Sequence, residues 1–315
     1  MNTFGNRFRV SVFGESHGPA TGAVLDGVPP GIALQESDLI PDILRRKSGA
    51  RGTTPRTETD EPHFLSGVYN GYTTGTPLCI TFDNKGARPQ DYTGHPGVFR
   101  PGTADFTAQV KFHGYQDPRG GGHFSGRLTL PLTAAGAIAK KIIALHYPEL
   151  SIKAQIVRIG SLAVTDWPVL SPGVEALIDK AVTEGDSLGA VIACSLEQVP
   201  AGLGEPFFDS VESVLSHILF AIPGIKGVTF GLGFEETLLK GSENPHKGGI
   251  AGGITNGDTL NFQLAVKPTP TVGKEGRHDA CFALRVPVVA EAAAAIVLAD
   301  FILSKSEFPV PEVQP

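Results

Sequence analysis

The last long apolar run of the chain restricts its fold more than any other feature. Residues 286–303, VPVVAEAAAAIVLADFIL, have the spacing of a helix after an opening proline and are apolar on most faces. Such a helix has almost no face for water and must be buried. Residues 128–145, LTLPLTAAGAIAKKIIAL, are rich in alanine and carry apolar residues at helical spacing, which predicts a second buried helix.

Shorter elements are predicted around these two runs. Strands are expected at residues 7–13, 188–196 and 259–266, and helices at residues 37–46, 174–183 and 209–220. Strands and helices mix without a strict βαβ alternation, so the pattern predicts an α+β or layered α/β fold. Because no shift in composition marks a boundary, we expect a single domain over residues 1–315.

Composition argues against several classes of protein. A formal net charge of −6 is unsuited to a nucleic-acid-binding surface, which needs clustered excess lysine and arginine. Cys79, Cys194 and Cys281 stand far apart without a CxxC pair, so neither a disulfide framework nor a zinc site is expected. The amino terminus lacks a signal-peptide pattern, and no later run approaches the roughly 18 apolar residues of a membrane span. We therefore expect a cytoplasmic chain without membrane or nucleic-acid partners.

A histidine and a basic loop are the first candidates for chemistry. His17 lies in the glycine-flanked sequence GESHG directly after a predicted strand, where it can act on a ligand or brace the turn by hydrogen bonding. Residues 47–62 form a polar loop without periodicity. The basic residues in and beside this loop are Arg45, Arg46, Lys47, Arg51 and Arg56. Guanidinium groups suit phosphate or carboxylate, although a solvated basic face would produce the same pattern.

Three further segments could hold a ligand. Residues 119–127, RGGGHFSGR, lead into a helix, and their unhindered amides could cradle a phosphate or an oxygen-rich ring, or the glycines could mark a tight crossing. Residues 267–271, KPTPT, form a stiff loop with two hydroxyls and an ammonium group, suited to a phosphate tail or only to a turn. In GRHDAC, residues 276–281, Asp279 could act as a base or cap the following helix with an ion pair.

Taken together, these segments resemble the chorismate synthase family over nearly the whole chain. The matching pieces in chain order are GESHG, LDGVPPGI, RRKSG with TTPRTE, SGVYNGYTTGTP, FRPGTADF, DPRGGGHFSGR, PAGLGEPFFD, GGIAGGITNG, KPTPT and GRHDACF. Each piece is weak alone, but their shared order makes the resemblance specific.

The resemblance implies a β-α-β sandwich with helices between antiparallel sheets, assembled as a homotetramer. The implied reaction is the anti-1,4-elimination of phosphate from 5-enolpyruvylshikimate 3-phosphate to give chorismate, the last step of the shikimate pathway. It requires reduced FMN, which is not consumed overall. By the same resemblance, His17 assists phosphate departure, and Asp279 assists proton removal near the flavin. Arg46, Arg51 and Arg127 would hold the substrate's phosphate and carboxylates.

The flavin-binding residues implied by the resemblance come from four parts of the chain. They are His123, Phe124, Ser125, Gly252, Lys267, Pro268, Thr269, Pro270, Thr271 and Arg277.

Three departures from the family pattern stand out. Thr103 occupies the position of the histidine in RPGHAD that is expected to protonate or stabilise the reduced flavin, and threonine cannot carry that positive charge. HFSG follows the glycines where many members have RSSA. Residues 234–249 and 271–276 are shorter than the pattern, as trimmed loops or as residues missing from the printed chain.

An active chorismate synthase is the leading interpretation, and two alternatives remain. One is a catalytically impaired relative that binds flavin or substrate without efficient turnover. The other is a nucleotide phosphate-binding protein built on residues 119–122 and 267–271, although Walker spacing is missing. Because the sequence has no dinucleotide fingerprint, we expect reduced flavin to be supplied from elsewhere and not by an NADPH-dependent activity of this chain.

Overall fold

Two antiparallel sheets of five strands each face one another across a layer of helices. The computed structural model describes residues 1–54, 58–86, 99–244, 248–273 and 279–305. Within these ranges the strands are β1 (Thr3–Phe4), β2 (Arg9–Gly14), β3 (Ala20–Asp26), β4 (His63–Ser66), β5 (Val68–Tyr69), β6 (Tyr72–Thr73), β7 (Leu78–Asp83), β8 (Ser151–Ile159), β9 (Leu162–Ala163), β10 (Ala190–Glu197), β11 (Ile225–Phe230), β12 (Ile250–Ala251), β13 (Ile254–Thr255) and β14 (Leu260–Val266). The first sheet has the order β1-β2-β3-β7-β4 and the second β11-β14-β10-β8-β9, while β5-β6 and β12-β13 form small hairpins.

The helices fill the space between the two sheets and flank it. They are α1 (Ile40–Arg46), α2 (Asp105–Lys111), α3 (Thr129–His146), α4 (Pro172–Glu184), α5 (Val211–Ala221) and α6 (Val286–Lys305). Helix α3 packs on the first sheet, α6 packs on the second, and the two helices pack on each other. This arrangement confirms the predicted α+β sandwich with helices between antiparallel sheets.

The predicted elements form close to their predicted bounds because local signals determine their ends. Ser171 accepts a hydrogen bond from the amide of Val174 at the start of α4, and Gly185 ends that helix in the left-handed conformation. Helix α5 begins at Val211, two residues later than predicted, because Ser210 is its cap and accepts from the amide of Ser213. Residues 36–39 form a 3-10 turn that leads into α1.

Helices α3 and α6 are in close contact at a glycine. A Cβ atom added to Gly136 would lie 2.2 Å from the Cβ of Ala292, far inside van der Waals distance. The small residues of both runs therefore allow the helix backbones to approach each other, which holds the two sheets together around a shared core.

The expectation that no run of the chain is long and apolar enough for a membrane span was wrong. The segments Gly126–His146 and Phe282–Lys305 are long and apolar enough to cross a membrane by length and composition. Both are core helices, since 78% and 89% of their most apolar windows are buried inside the protein. Two carboxylates on α6 have partners within the fold: Glu291 binds Arg45 and Lys140, and Asp300 accepts from the amides of residues 6–8.

Candidate active site

A cavity of about 2050 Å³ lies where the first sheet, the glycine-rich segment and the start of α6 meet. Most of the residues singled out from the sequence line it: His17, Arg46, Thr103, His123, Phe124, Ser125, Arg127, Lys267, Pro268, Thr269, Pro270, Thr271 and Asp279. These residues are far apart in the sequence, so the fold brings the predicted segments together in one place.

His17 lies on the turn between β2 and β3 and is nearly buried, at 9% exposure. Its Nδ1 is 2.9 Å from the hydroxyl oxygen of Ser16. The ring lies so close to Gly120 that a Cβ atom there would be 2.6 Å from the imidazole, so only glycine allows this approach. Glycine at this position therefore lets the histidine reach the cavity wall.

The carboxylate of Asp117 lies on the same side of the cavity as His17. Hydrogen bonds from Arg119 hold the pKa of Asp117 below its ordinary value, and the charge on His17 lowers it further. Arg119 donates to this carboxylate through Nε at 2.9 Å and Nη2 at 2.8 Å. Asp117 is therefore held ionised beside His17.

Three arginines form the cationic wall of the cavity. Arg46 is 2% exposed, donates from Nε to Thr129 at 3.1 Å and from Nη2 to the carbonyl of Gly126 at 2.7 Å. Arg127 donates to Asp60, and Arg285 donates from Nε to the carbonyl of Arg46 at 3.1 Å. Burial lowers the pKa of Arg46 well below its ordinary value, and the neighbouring charge of Arg285 adds to this effect. An anion bound beside these groups would relieve that unfavourable crowding of positive charge.

Asp279 is held at the start of the 3-10 turn that precedes α6. Its Oδ1 accepts from the amide of Thr54 at 2.7 Å, and its Oδ2 accepts from Nη1 of Arg285 at 3.1 Å. The sequence left open whether Asp279 acts as a base or caps the following helix with an ion pair. Asp279 forms an ion pair with Arg285, whereas the cap position of that turn belongs to Cys281. Asp279 faces the cavity as a fixed carboxylate.

The glycine-rich segment forms two short 3-10 turns before α3. His123 lies 2.8 Å from the carbonyl oxygen of Gly14 through Nδ1. Because a carbonyl can only accept, Nδ1 of His123 carries the proton. Ser125 caps the second turn by accepting from the amide of Arg127 at 3.2 Å.

Thr103 belongs to a turn that leads into α2. Its hydroxyl donates to the carbonyl of Arg100 at 2.9 Å and accepts from the amide of Asp105 at 3.2 Å. Arg100 in turn donates to the carbonyl of Gly120 at 2.6 Å, which joins this turn to the glycine-rich segment. The hydroxyl of Thr103 is thus used to build the turn at the cavity wall.

The KPTPT loop borders the cavity beside Thr103. Nζ of Lys267 is 3.5 Å from the carbonyl oxygen of Gly102, and Ser187 fixes the loop by donating to the carbonyl of Thr269 at 2.7 Å. The Thr269 hydroxyl is buried and has no hydrogen-bond partner within the described part of the chain. A buried hydroxyl without a partner is costly, and a phosphate oxygen would satisfy it, so the loop fits a phosphate group.

The structure does not bring every predicted site residue to the cavity. Arg51 is exposed and forms ion pairs with Asp179 and Glu175 of α4, and it is not among the cavity-lining residues. Gly252 lies in the turn between β12 and β13, also away from the described lining. Arg277, and Arg56 of the basic loop, lie outside the described residues.

Sequence reasoning missed several polar residues in and beside the cavity, and three of them hold its charged groups. Asp60 lies 2% exposed between two arginines, Asn84 contacts Arg127, and Arg285 holds Asp279. Arg285 carried one usable signal, since it is a lone cation just before an apolar helix. Asp60 and Asn84 carried none, because each is an ordinary polar residue of a loop until its distant partners are known.

The fold and this site define a class of protein: an α+β enzyme with helices between two antiparallel sheets and a deep cavity suited to a multiply charged anion. The family model for chorismate synthase matches residues 8–303. The chain therefore belongs to the chorismate synthase family, and it is a carbon-oxygen lyase acting on phosphate.

Individual relatives agree with this assignment. A chorismate synthase of Chitinophaga pinensis is 48% identical over 333 aligned positions, covering 96% of this chain and 97% of the relative. One from Rhodospirillum rubrum is 42% identical and covers 96% of each chain. A solved crystal structure of a chorismate synthase superimposes with a TM-score of 0.75 at 27% identity, covering 96% of this chain and 93% of the other.

The length of these alignments bears on the shortened segments. The alignment with the Chitinophaga pinensis relative has 333 positions, more than the 315 residues of this chain. Relatives therefore carry residues without a counterpart here. The location of the differences within residues 234–249 and 271–276 stays a prediction.

Proposed function

We propose that the cavity binds 5-enolpyruvylshikimate 3-phosphate beside reduced FMN and that the named residues carry out the elimination of phosphate to form chorismate. The observation that carries this proposal is the group of buried arginines in the same cavity as His17 and Asp279. A substrate with a phosphate and carboxylates would neutralise these guanidinium groups where water cannot.

Arg46 and Arg127 bind the anionic groups of the substrate. Both are fixed by several hydrogen bonds to the protein, so little side-chain entropy is lost when the substrate binds. Arg51 remains a proposed ligand of the substrate as well, although it would have to leave its ion pairs with α4 to reach the cavity.

His17 is the proton donor for the leaving phosphate, and Asp279 assists removal of the proton at the other end of the eliminated system. In the 1,4-elimination a C–O bond to phosphate and a C–H bond break while the diene forms. An acid with a pKa near neutrality suits the departing phosphate, and a fixed carboxylate suits proton acceptance. Arg285 and the amide of Thr54 keep that carboxylate in one orientation.

The flavin is held by His123, Phe124 and Ser125 at the glycine-rich segment and by residues 267–271 at its phosphate arm. Support comes from the buried, unsatisfied hydroxyl of Thr269 and from the nearby ammonium group of Lys267. Gly252 and Arg277 remain proposed flavin contacts. When bound, the reduced flavin supplies the electron donation that breaking the C–O bond needs.

Thr103 determines the first experiment. We measure anaerobic turnover of 5-enolpyruvylshikimate 3-phosphate with chemically reduced FMN, for the natural chain and for Thr103→His, by following chorismate absorbance. We expect the natural chain to turn over and Thr103→His to raise the rate on the order of 100-fold, the usual contribution of one acid or base.

Each result has a clear meaning. Turnover only in the Thr103→His variant would identify the natural chain as an impaired relative on an intact site. No turnover in either protein, with no binding of FMN by fluorescence quenching, would reject the proposed function.

We further propose a homotetramer in the cytoplasm whose reduced flavin comes from another source. Several large apolar side chains on the described surface are strongly exposed, among them Phe207 at 87%, Phe208 at 91% and Phe234 at 82%. Large apolar side chains that are exposed on the single chain are typical of a surface that is buried between subunits in an oligomer. Sedimentation equilibrium that shows only monomers would contradict the assembly, and turnover with NADPH and oxidised FMN alone would contradict the flavin source.

A further inference from the structure

Asn84 connects two groups of the cavity that are distant in sequence. It directly follows β7, and its Nδ2 donates to the carbonyl of Glu15 at 3.0 Å and to the carbonyl of Gly18 at 2.9 Å. Its Oδ1 accepts from Nε of Arg127 at 3.0 Å. The backbone amide of Asn84 adds a fourth bond, to the carbonyl of Pro19 at 3.0 Å.

The orientation of the Asn84 amide follows from its partners. A guanidinium can only donate and a backbone carbonyl can only accept. Turning the amide over would place its NH₂ group against Arg127 and its oxygen against two carbonyl oxygens. Only the orientation described here satisfies all three contacts, so no other residue type of this size could replace asparagine without losing one.

The two carbonyls held by Asn84 lie on either side of His17. Glu15 precedes the histidine by two residues and Gly18 follows it directly, and a bond of 3.2 Å from the amide of Gly18 to the carbonyl of Glu15 closes the same turn. Asn84 thus fixes both ends of the segment that carries the imidazole. On its other side it fixes the guanidinium of Arg127, which Asp60 also holds.

We propose that Asn84 is a positioning residue that keeps His17 in a fixed relation to Arg127, so that an anionic substrate held by the arginine meets the proton donor. This inference rests on the proposed roles of His17 and Arg127. Proton transfer to a leaving group depends steeply on geometry, and a misplacement of about 1 Å can cost on the order of 100-fold in rate.

Asn84→Asp separates the contact with Arg127 from the contacts with the turn that carries His17. Aspartate has the same shape, and one carboxylate oxygen keeps the contact with Arg127. The other oxygen faces the carbonyls of Glu15 and Gly18, so it repels them where the amide nitrogen donated. We expect kcat to fall by about 10- to 100-fold while KM changes by less than about threefold.

The matched control is Asn261→Asp. Asn261 is exposed on β14, and its Nδ2 donates to the carbonyl of Thr259 at 3.3 Å. The same change of charge and the loss of a similar bond occur there outside the cavity. We expect kcat and KM to stay at their natural values in this variant, and thermal unfolding of both variants shows that they are folded.

A double-mutant cycle tests whether Asn84 acts through His17. In a His17→Ala background the position of the histidine turn no longer matters for proton donation, so Asn84→Asp should change kcat by less than about twofold. If the two substitutions instead multiply in their effect on kcat, Asn84 acts independently of His17 and the proposal is wrong.

A spectroscopic measurement keeps the inference separate from the proposed function. In protein with ¹³C-labelled histidine, the Cε1–H signal of His17 is assigned by its loss in His17→Ala. We expect Asn84→Asp to shift this signal and Asn261→Asp to leave it in place. The absence of turnover and of FMN binding would reject the proposed function and leave this test intact. An unshifted signal in Asn84→Asp would overturn the positioning role.

Discussion

Asp60 adopts a backbone conformation that costs free energy. It has φ +54°, in the left-handed region that a residue with a side chain rarely occupies, and it is 2% exposed. Such a conformation costs on the order of 1–3 kcal/mol and persists where the surroundings compensate. Here the carboxylate accepts from Arg127 and lies 3.9 Å from Nη1 of Arg46. The strain therefore occurs where a carboxylate lies between two arginines that we propose bind the substrate.

Asp60→Asn is expected to raise KM for the phosphate substrate by about 10-fold or more and to change kcat less. The amide keeps the shape of the side chain but loses the charge that holds both guanidinium groups in place. Steady-state kinetics with reduced FMN in excess provide the measurement. Asp26→Asn is the control, because Asp26 forms an exposed ion pair with Arg9. An unchanged KM in Asp60→Asn would show that the arginines hold their positions without the carboxylate.

At the scale of elements, Glu291 joins helices and a strand from four parts of the chain. Its carboxylate on α6 accepts two bonds of 2.7 Å from Arg45, one of 3.1 Å from Lys140 on α3 and one of 3.0 Å from the amide of Ala154 on β8. Burial alone would raise the pKa of Glu291, but the hydrogen bonds from Arg45 and the charge of Lys140 prevail, and the pKa is lowered. The next residue after Arg45 is Arg46, so this network also positions a cavity arginine.

The lowered pKa of Glu291 predicts how stability depends on pH. Its contribution is complete above the ordinary glutamate pKa, near 4.3, and is lost as pH falls through the lower value of the folded state. We expect Glu291→Gln to cost about 2 kcal/mol at pH 7, since it removes the charge of a buried carboxylate that accepts hydrogen bonds from the partly exposed Arg45 and Lys140, and to cost progressively less below about pH 4. Urea unfolding at both pH values measures the difference.

Glu184→Gln provides the comparison, because Glu184 forms an exposed ion pair with Lys180 on α4. This surface substitution should change the free energy of unfolding by less than about 0.5 kcal/mol. If Glu291→Gln lowered the free energy of unfolding equally at pH 7 and pH 3, the ionised form of Glu291 would not be the source of the stability.

At the scale of the whole molecule, the distance between the two sheets depends on the contact between α3 and α6. Gly136→Ala places a methyl group 2.2 Å from the Cβ of Ala292, so the helices and the sheets on them must move apart. We expect a loss of about 3 kcal/mol in unfolding free energy, measured by urea titration. Gly173→Ala, at an open position in the first turn of α4, should instead be neutral or stabilising by up to about 1 kcal/mol. Equal stability of the two variants would show that the core relaxes around the added methyl group.

The long helices and three of the strands could be predicted because their signals are local. The apolar spacing of residues 286–303, the cap at Ser171 and the alternation before residue 267 each act within a few residues of chain. The order of short motifs was enough to indicate the family. Thirteen of the predicted site residues line the cavity, because each contributing segment carried its own motif, whereas many other lining residues had no such signal.

The sequence by itself determined helices α1, α3, α4, α5 and α6, strands β2, β10 and β14, and the family. The tertiary structure decided which charged groups meet. Arg46 at the end of α1 and Arg51 in the loop that follows look alike in the sequence, yet the first lines the cavity and the second pairs with α4. Asn84 and Arg127 are 43 residues apart and touch through one hydrogen bond. Such contacts depend on the packing of distant elements, which no local pattern of side chains encodes.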